Sequence, residues 1–223
     1  MILSFLLFLT YSILGWLIEV IVCTIETKKF VNRGFLIGPY CPLYGVSALL
    51  MVWFLHDYKN DLLILFAMSI FICSVTEYIT SYTLEKIFKA RWWDYRHLKL
   101  NINGRVCMIN SIVFGILGIL LIVYINPFLL DFYNRLPHII LYCVFAFTFI
   151  LFTIDCFISF KVVKRLKFTA EAIKKDYTDE ISSRIREVLF NQSVLIRRIS
   201  KAFPTLVQTL IGKKRHIKSK KNN

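Results

Sequence analysis

Charge is scarce in this chain, and acidic charge is scarcest. Only 19% of its 223 residues are charged, with 14 Asp and Glu against 28 Lys and Arg. A soluble domain carries roughly a quarter charged residues, so the deficit argues against a soluble globule. No segment reads GxxxxGK[ST], so the chain holds no phosphate loop of the ATPase kind. There is no HExxH, and the histidines (His56, His97, His138 and His216) are scattered, without a nucleophile nearby. Cys23, Cys41, Cys73, Cys107, Cys143 and Cys156 make no CxxC pair and mostly sit in apolar runs. Neither a disulfide framework nor a zinc site is expected from them. No basic stretch precedes the first apolar run and no small-residue cleavage site follows it, so that run is expected to stay as a helix. The expectation is therefore a chain with no metal, no cofactor and no catalytic chemistry of its own.

What is abundant is apolar side chain, 57% of the residues, gathered into blocks. A spanning helix needs roughly 20 mostly apolar residues. Residues 2–23, 62–83, 106–125 and 139–160 meet this easily. Residues 35–55 are long enough, but carry Gly38, Pro39, Pro42 and Gly45 near their start. The predicted fold class is thus all-α: a polytopic transmembrane helical bundle of about five spans over residues 1–160, followed by a basic tail over 161–223.

The basic residues test that count. With five spans, alternate sides of the membrane carry 26 and 2 of the 28. Only Lys59 and Arg135 fall on the poor side, and merging or losing a span would move a basic loop onto it. Lys and Arg concentrate in cytoplasmic loops. The N-terminus is expected outside and the C-terminus in the cytoplasm of a multi-pass cell-membrane protein.

Three acids lie within the spans: Glu19, Glu77 and Asp155. They come 17, 15 and 16 residues after Ile2, Leu62 and Ile139, where outside-to-inside helices begin. At about 1.5 Å per residue they reach roughly 22–26 Å into a slab about 30 Å thick, all in its cytoplasmic third. Each sits on a polar stripe. Ser69, Cys73, Glu77, Ser81 and Glu85 recur every four residues. Ser12, Gly15, Glu19, Cys23 and Glu26 form a second stripe, and Thr148, Asp155 and Ser159 a third. Such faces turn toward neighbouring helices or water, because a charge in hydrocarbon costs several kcal/mol unless paired or hydrated. Arg33 and Arg105 flank spans on the same side, so an inner cluster of the three acids with one or both arginines is expected. It reads either as a substrate or proton site or as a set of structural ion pairs.

The stretch from Asn32 to Gly45 is the most distinctive in the first half. Pro39 and Pro42, with Gly38 and Cys41 beside them, make a regular helix before Pro42 improbable. Pro42 suits the first turn of a helix instead. From there to Leu55 is only about 21 Å of helix, short of the bilayer core. Irregular backbone at that depth must be covered by protein or water, and broken helices of this type build binding sites in many transporters. A proline-shaped loop before an ordinary span is the plainer alternative.

The third loop holds Trp92, Trp93, Asp94 and Tyr95, which composition alone assigns to an interfacial aromatic belt, and then Asn101. Asn103-Gly104 signals a turn. Beyond it Cys107, Ser111, Gly115 and Gly118 share one face suited to close helix packing.

Several of these segments together resemble a known family. Gly-Trp-Leu-Ile-Glu (15–19), Asn-Arg-Gly-Phe-Leu (32–36), Gly-Pro-x-Cys-Pro-x-Tyr-Gly (38–45), Thr-Glu-Tyr (76–78), Trp-Trp-Asp-Tyr (92–95) and Asn-x-x-Gly-Arg (101–105) are similar to bacterial proteins labelled putative ABC-transporter permease. The resemblance covers roughly residues 5–160. It implies a bacterial inner-membrane location and a transport role, with any ATPase on a separate subunit. It supplies no substrate.

In the tail, Thr178 can cap a helix. Ile181, Ile185, Val188, Leu189, Leu195, Ile196, Ile199 and Phe203 then form an amphipathic stripe, predicting a helix over 178–203 with a disordered basic end after it. Anionic lipid is the favoured partner of this tail, a second copy of the chain or a protein partner the alternatives. No recognition motif accompanies the charge, so nucleic acid is not expected. The membrane core is expected to be complete without the tail. A permease or permease subunit is the leading reading, and a membrane scaffold or regulator acting through the tail is the alternative.

Overall fold

A computed structural model describes residues 1–28, 32, 34–175, 195, 198, 199, 202 and 203, with the side chains at 26 and 166–175 left aside. The bundle is built from α1 (Ile2–Thr27), α2 (Pro42–Leu55), α3 (Leu62–Phe88), a two-stranded hairpin β1 (Asn101–Ile102) and β2 (Val106–Cys107), α4 (Met108–Leu120), α5 (Asn126–Asn134) and α6 (His138–Lys175). A π-helical stretch, Leu121–Ile125, joins α4 to α5 without interruption. Four segments are long and apolar enough to cross a membrane: Ile2–Ile25, Leu62–Phe88, Met108–Asn134 and His138–Arg165. The chain is a multi-pass helical membrane protein.

The helices outrun the hydropathy blocks. The fourth span begins at Met108 because Val106 and Cys107 belong to a strand, and it continues past residue 125 to Asn134. Pro127 has no N–H to continue the helical ladder. The widened π turn before it absorbs the misfit, with the Asn126 N–H bonding back to the Leu121 carbonyl. The last helix does not stop at residue 160 but runs to Lys175. Asp61 caps α3 by accepting from the N–H groups of Leu63 and Ile64 at 3.1 and 3.0 Å.

The second block departs most from a simple span. Helix α2 has only 14 residues, about 21 Å. The chain reaches its start along α1: Asn32 Oδ1 accepts from Trp16 Nε1 at 2.9 Å, and the Cys41 N–H donates to the Ser12 carbonyl at 2.9 Å. Ser12 lies midway along α1, so Pro42 begins its helix in the middle of the bundle. The residues before it, 34–41, are irregular backbone with bends at 35–39. Pro39 centres a three-residue turn closed by the Tyr40 N–H on the Gly38 carbonyl at 3.0 Å.

Close approach of α2 to α1 needs glycine on both. A Cβ at Gly45 would stand 2.6 Å from the Phe8 carbonyl oxygen, and one at Gly15 2.3 Å from Tyr44 Cβ. The predicted small-residue face of α4 also packs as expected, with Ser111, Gly115 and Gly118 buried and the Ser74 and Ser111 hydroxyls 2.9 Å apart. One apolar core, with Leu7, Tyr11, Ala48, Met51, Leu55, Leu65 and Leu121, ties together α1, α2, α3 and the π stretch.

A second core closes the opposite end around Phe88, Ala90, Trp92, Val163 and Ile199. Trp92 is 4% exposed and its ring lies 4.8 Å from that of Phe203. Trp92 is therefore not an interfacial belt residue, and the tail is not separable from the bundle. Ile199, Ala202 and Phe203 complete this core. Most of the predicted 178–203 helix lies outside the described residues. Its described members Leu195, Arg198, Ile199 and Ala202 are helical.

Candidate functional site

The expected acid cluster divides into two. Asp155, on α6, faces the irregular segment before α2. Its Oδ1 accepts from the Ile37 N–H at 2.9 Å and from Ser159 Oγ at 2.8 Å. Its Oδ2 accepts from the Gly38 N–H at 2.7 Å and from the Tyr40 hydroxyl at 2.5 Å. Peptide and hydroxyl donors satisfy this anion, not an arginine. The opposite edge of the same segment is bound by the tail: the Arg198 guanidinium donates to the carbonyls of Gly34 at 2.8 Å, Ile37 at 3.0 Å and Leu36. Burial lowers the Arg198 guanidinium below its ordinary value, and the Asp155 charge across the segment opposes this. The irregular backbone is thus satisfied on its N–H side by an acid and on its C=O side by a base, which answers the requirement for covered polar groups at depth.

Glu19 and Glu77 converge elsewhere, at the junction of α1, α2, α3 and the hairpin loop. Glu19 Oε2 accepts from the Tyr44 hydroxyl at 2.7 Å. Glu77, 4% exposed, accepts from the Tyr95 hydroxyl on Oε1 at 3.2 Å, while its buried Oε2 has no hydrogen-bond partner among the described residues. Burial, and the Glu77 and Glu19 carboxylates beside it, raise the Tyr95 phenol above its ordinary value. Glu77 also lines a half-open cavity of about 90 Å³ between α1, α2, α3 and α4.

Arg105 does not join these acids. Arg105 pairs with Glu85 at 2.7 Å and lies 5.5 and 5.3 Å from the ring centres of Tyr78 and Tyr82. The reason is reach: the hairpin holds Arg105 level with the last turn of α3, two turns beyond Glu77. Arg33 lies outside the described residues.

The hairpin loop is rigid for identifiable reasons. Asn103 and Gly104 both have positive φ, 53° and 69°, the signature of an Asn-Gly turn joining two short strands. Asn101 Oδ1 accepts from the Gly104 N–H at 2.9 Å, and the Tyr95 N–H donates to the Gly104 carbonyl at 2.8 Å. Trp93 Nε1 donates to the Arg105 carbonyl at 3.0 Å. Burial disfavours the Asp94 carboxylate, but hydrogen bonds from the Arg96 side chain and backbone N–H, with Arg91 nearby, leave it below its ordinary range. The loop therefore serves to deliver Tyr95 to Glu77 and to close the bundle end with Trp92.

Sequence patterns missed four participants. Tyr40 and Tyr44 stand within the Gly-Pro motif but look like ordinary interfacial aromatics. Asn126, 3% exposed, accepts from the Tyr11 hydroxyl at 2.8 Å, and an Asn-Pro pair inside an apolar run was its signal. Arg198 was signalled only as a base interrupting an apolar stripe.

No curated protein and no solved structure matches the chain. The model of one family, described as "Putative ABC-transporter type IV", matches residues 6–160.

Proposed function

Because the chain belongs to the putative ABC-transporter type IV family, we propose that it is the membrane-embedded component of a transport system whose ATPase is a separate chain. One observation carries this reading. The segment from Gly34 to Leu55 is part short helix and part irregular backbone, the latter held on both edges by side chains, and it adjoins a half-open cavity lined by an acid. A continuous helix spends its peptide groups on itself. Irregular backbone spends them on neighbours, and those contacts can be exchanged as a path opens and closes. In this reading Glu19, Glu77 and the segment from Gly38 to Pro42 line the path. Asp155 and Arg198 set the segment's position, and the chain carries out no bond-breaking chemistry itself.

The face holding the hairpin and the tail is the cytoplasmic one, by its excess of Lys and Arg. In this reading the N-terminus lies outside a bacterial inner membrane and the basic tail lies against anionic lipid. The test is isolation of the intact chain from its native membrane in mild detergent, with mass spectrometry of its partners and an ATP-hydrolysis assay. A nucleotide-binding subunit in fixed ratio, with hydrolysis above background, is the expected result. Isolation without any such subunit and without hydrolysis would overturn the reading.

A further inference from the structure

The cavity beside Glu77 is the feature from which most follows. Its wall is apolar along most of its extent, with Leu14, Met51 and Phe114 among the contributors. The hydroxyls on the wall are already committed: Tyr44 donates to Glu19, Tyr11 to Asn126 and Ser47 to the Leu43 carbonyl. Among the described residues no Lys or Arg lines it. Among the described residues, Glu77 Oε2 therefore stands as an acceptor with no donor. A bare carboxylate in such surroundings costs several kcal/mol and must hold a proton or take a cation.

The wall also says which cation. Among the described residues no three metal-ligating side chains converge, and a hard divalent ion takes six or more oxygens. What the site offers is the Glu77 side chain in the wall and aromatic surface, Tyr44 and Phe114 lying edge to face with centroids 6.2 Å apart. An organic ammonium matches both, its charge on the carboxylate and its substituents against aliphatic and aromatic side chains. The cavity, about 90 Å³, has room for a small organic group rather than a single water.

We propose that this cavity binds an organic monocation with an apolar body, its positive centre held by Glu77. As an identification of transported cargo it rests on the transport reading above; as a binding site it does not. The experiment separates the two. Purified full-length chain in detergent is titrated with benzyltrimethylammonium and with its neutral isostere neopentylbenzene, followed by calorimetry. In parallel, dicyclohexylcarbodiimide modification of Glu77 is read by peptide mass spectrometry with and without the ammonium. Saturable binding of the ammonium alone is expected. Glu77→Gln should weaken it at least tenfold, and in the wild-type protein bound ammonium should protect Glu77 from modification. The protection assay needs no variant, so it decides the matter even if Glu77→Gln fails to fold. Equal binding of the neutral isostere, unchanged binding by a folded Glu77→Gln protein, or modification of Glu77 unaffected by the ammonium would each overturn the proposal. None of these outcomes bears on whether an ATPase subunit accompanies the chain.

Discussion

Replacing Asp155 by Asn isolates the contribution of the backbone clamp. The carboxylate accepts four hydrogen bonds, two from peptide N–H groups of Ile37 and Gly38 and two from the hydroxyls of Tyr40 and Ser159. The amide keeps the shape but turns one oxygen into a donor. A hydroxyl can rotate and accept from that donor; a peptide N–H cannot. Whichever way the amide lies, one N–H of the irregular segment faces an NH₂ group. An unsatisfied buried donor costs about 1–3 kcal/mol, and each surviving bond loses its charge assistance, worth about 1 kcal/mol. Arg198, on the far edge of the segment, also loses an opposing charge. Removing the charge relieves its own desolvation, so the net loss is roughly 2–4 kcal/mol. The exposed i,i+4 pair of Asp131 with Arg135, at 2.5 Å, gives a control in Asp131→Asn, expected to cost no more than about 0.5 kcal/mol. Two measurements apply: reversible unfolding in mild detergent, and the alkylation rate of Cys41, three residues beyond Gly38, read by mass spectrometry. Asp155→Asn should unfold earlier and label faster at Cys41 than wild type or the control. If it unfolds with wild type and labels at the wild-type rate, the clamp does not hold the segment and the argument fails.

Truncation after Lys164 should lower the unfolding midpoint, because it removes Ile199, Ala202 and Phe203 from the core around Trp92 and Arg198 from three carbonyls; an unchanged midpoint would show the tail contributes nothing. Gly45→Ala should cost about 1–3 kcal/mol, since its Cβ meets the Phe8 carbonyl oxygen at 2.6 Å; a fully stable variant, judged by thermal melting, would mean that α1 and α2 separate without penalty. Cysteines placed at Lys59 and Arg96 should differ in intact cells, the first labelled by an impermeant thiol reagent and the second protected, and equal labelling would refute the assigned orientation.

The hydrophobic blocks and the helix-start role of Pro42 were legible in the sequence because they depend on local composition and backbone chemistry. Twenty apolar residues have few options other than a buried helix, and a proline constrains the chain wherever it folds. The same local logic found the small face of α4. It also found the Asn-Gly turn, whose φ values follow from the two residues themselves.

Partnership was decided only in three dimensions. Charge counting paired the acids with arginines, yet a carboxylate is satisfied equally by peptide N–H groups, and such groups become available only where the chain is not helical. Asp155 found them because α6 packs beside the irregular backbone before α2. Arg105 was drawn to Glu85 because the hairpin sets its height. Nor could an amphipathic stripe in the tail say what it covers. Lipid, a second copy and the chain's own bundle all present apolar surface, and the exposed ring of Trp92 in a tail-less bundle makes the bundle itself the nearest apolar partner. Glu77 kept one oxygen without a donor among the described residues for the same kind of reason: four helices and one loop meet around it, and the nearby hydroxyls of Tyr11, Tyr44 and Ser47 are bonded elsewhere.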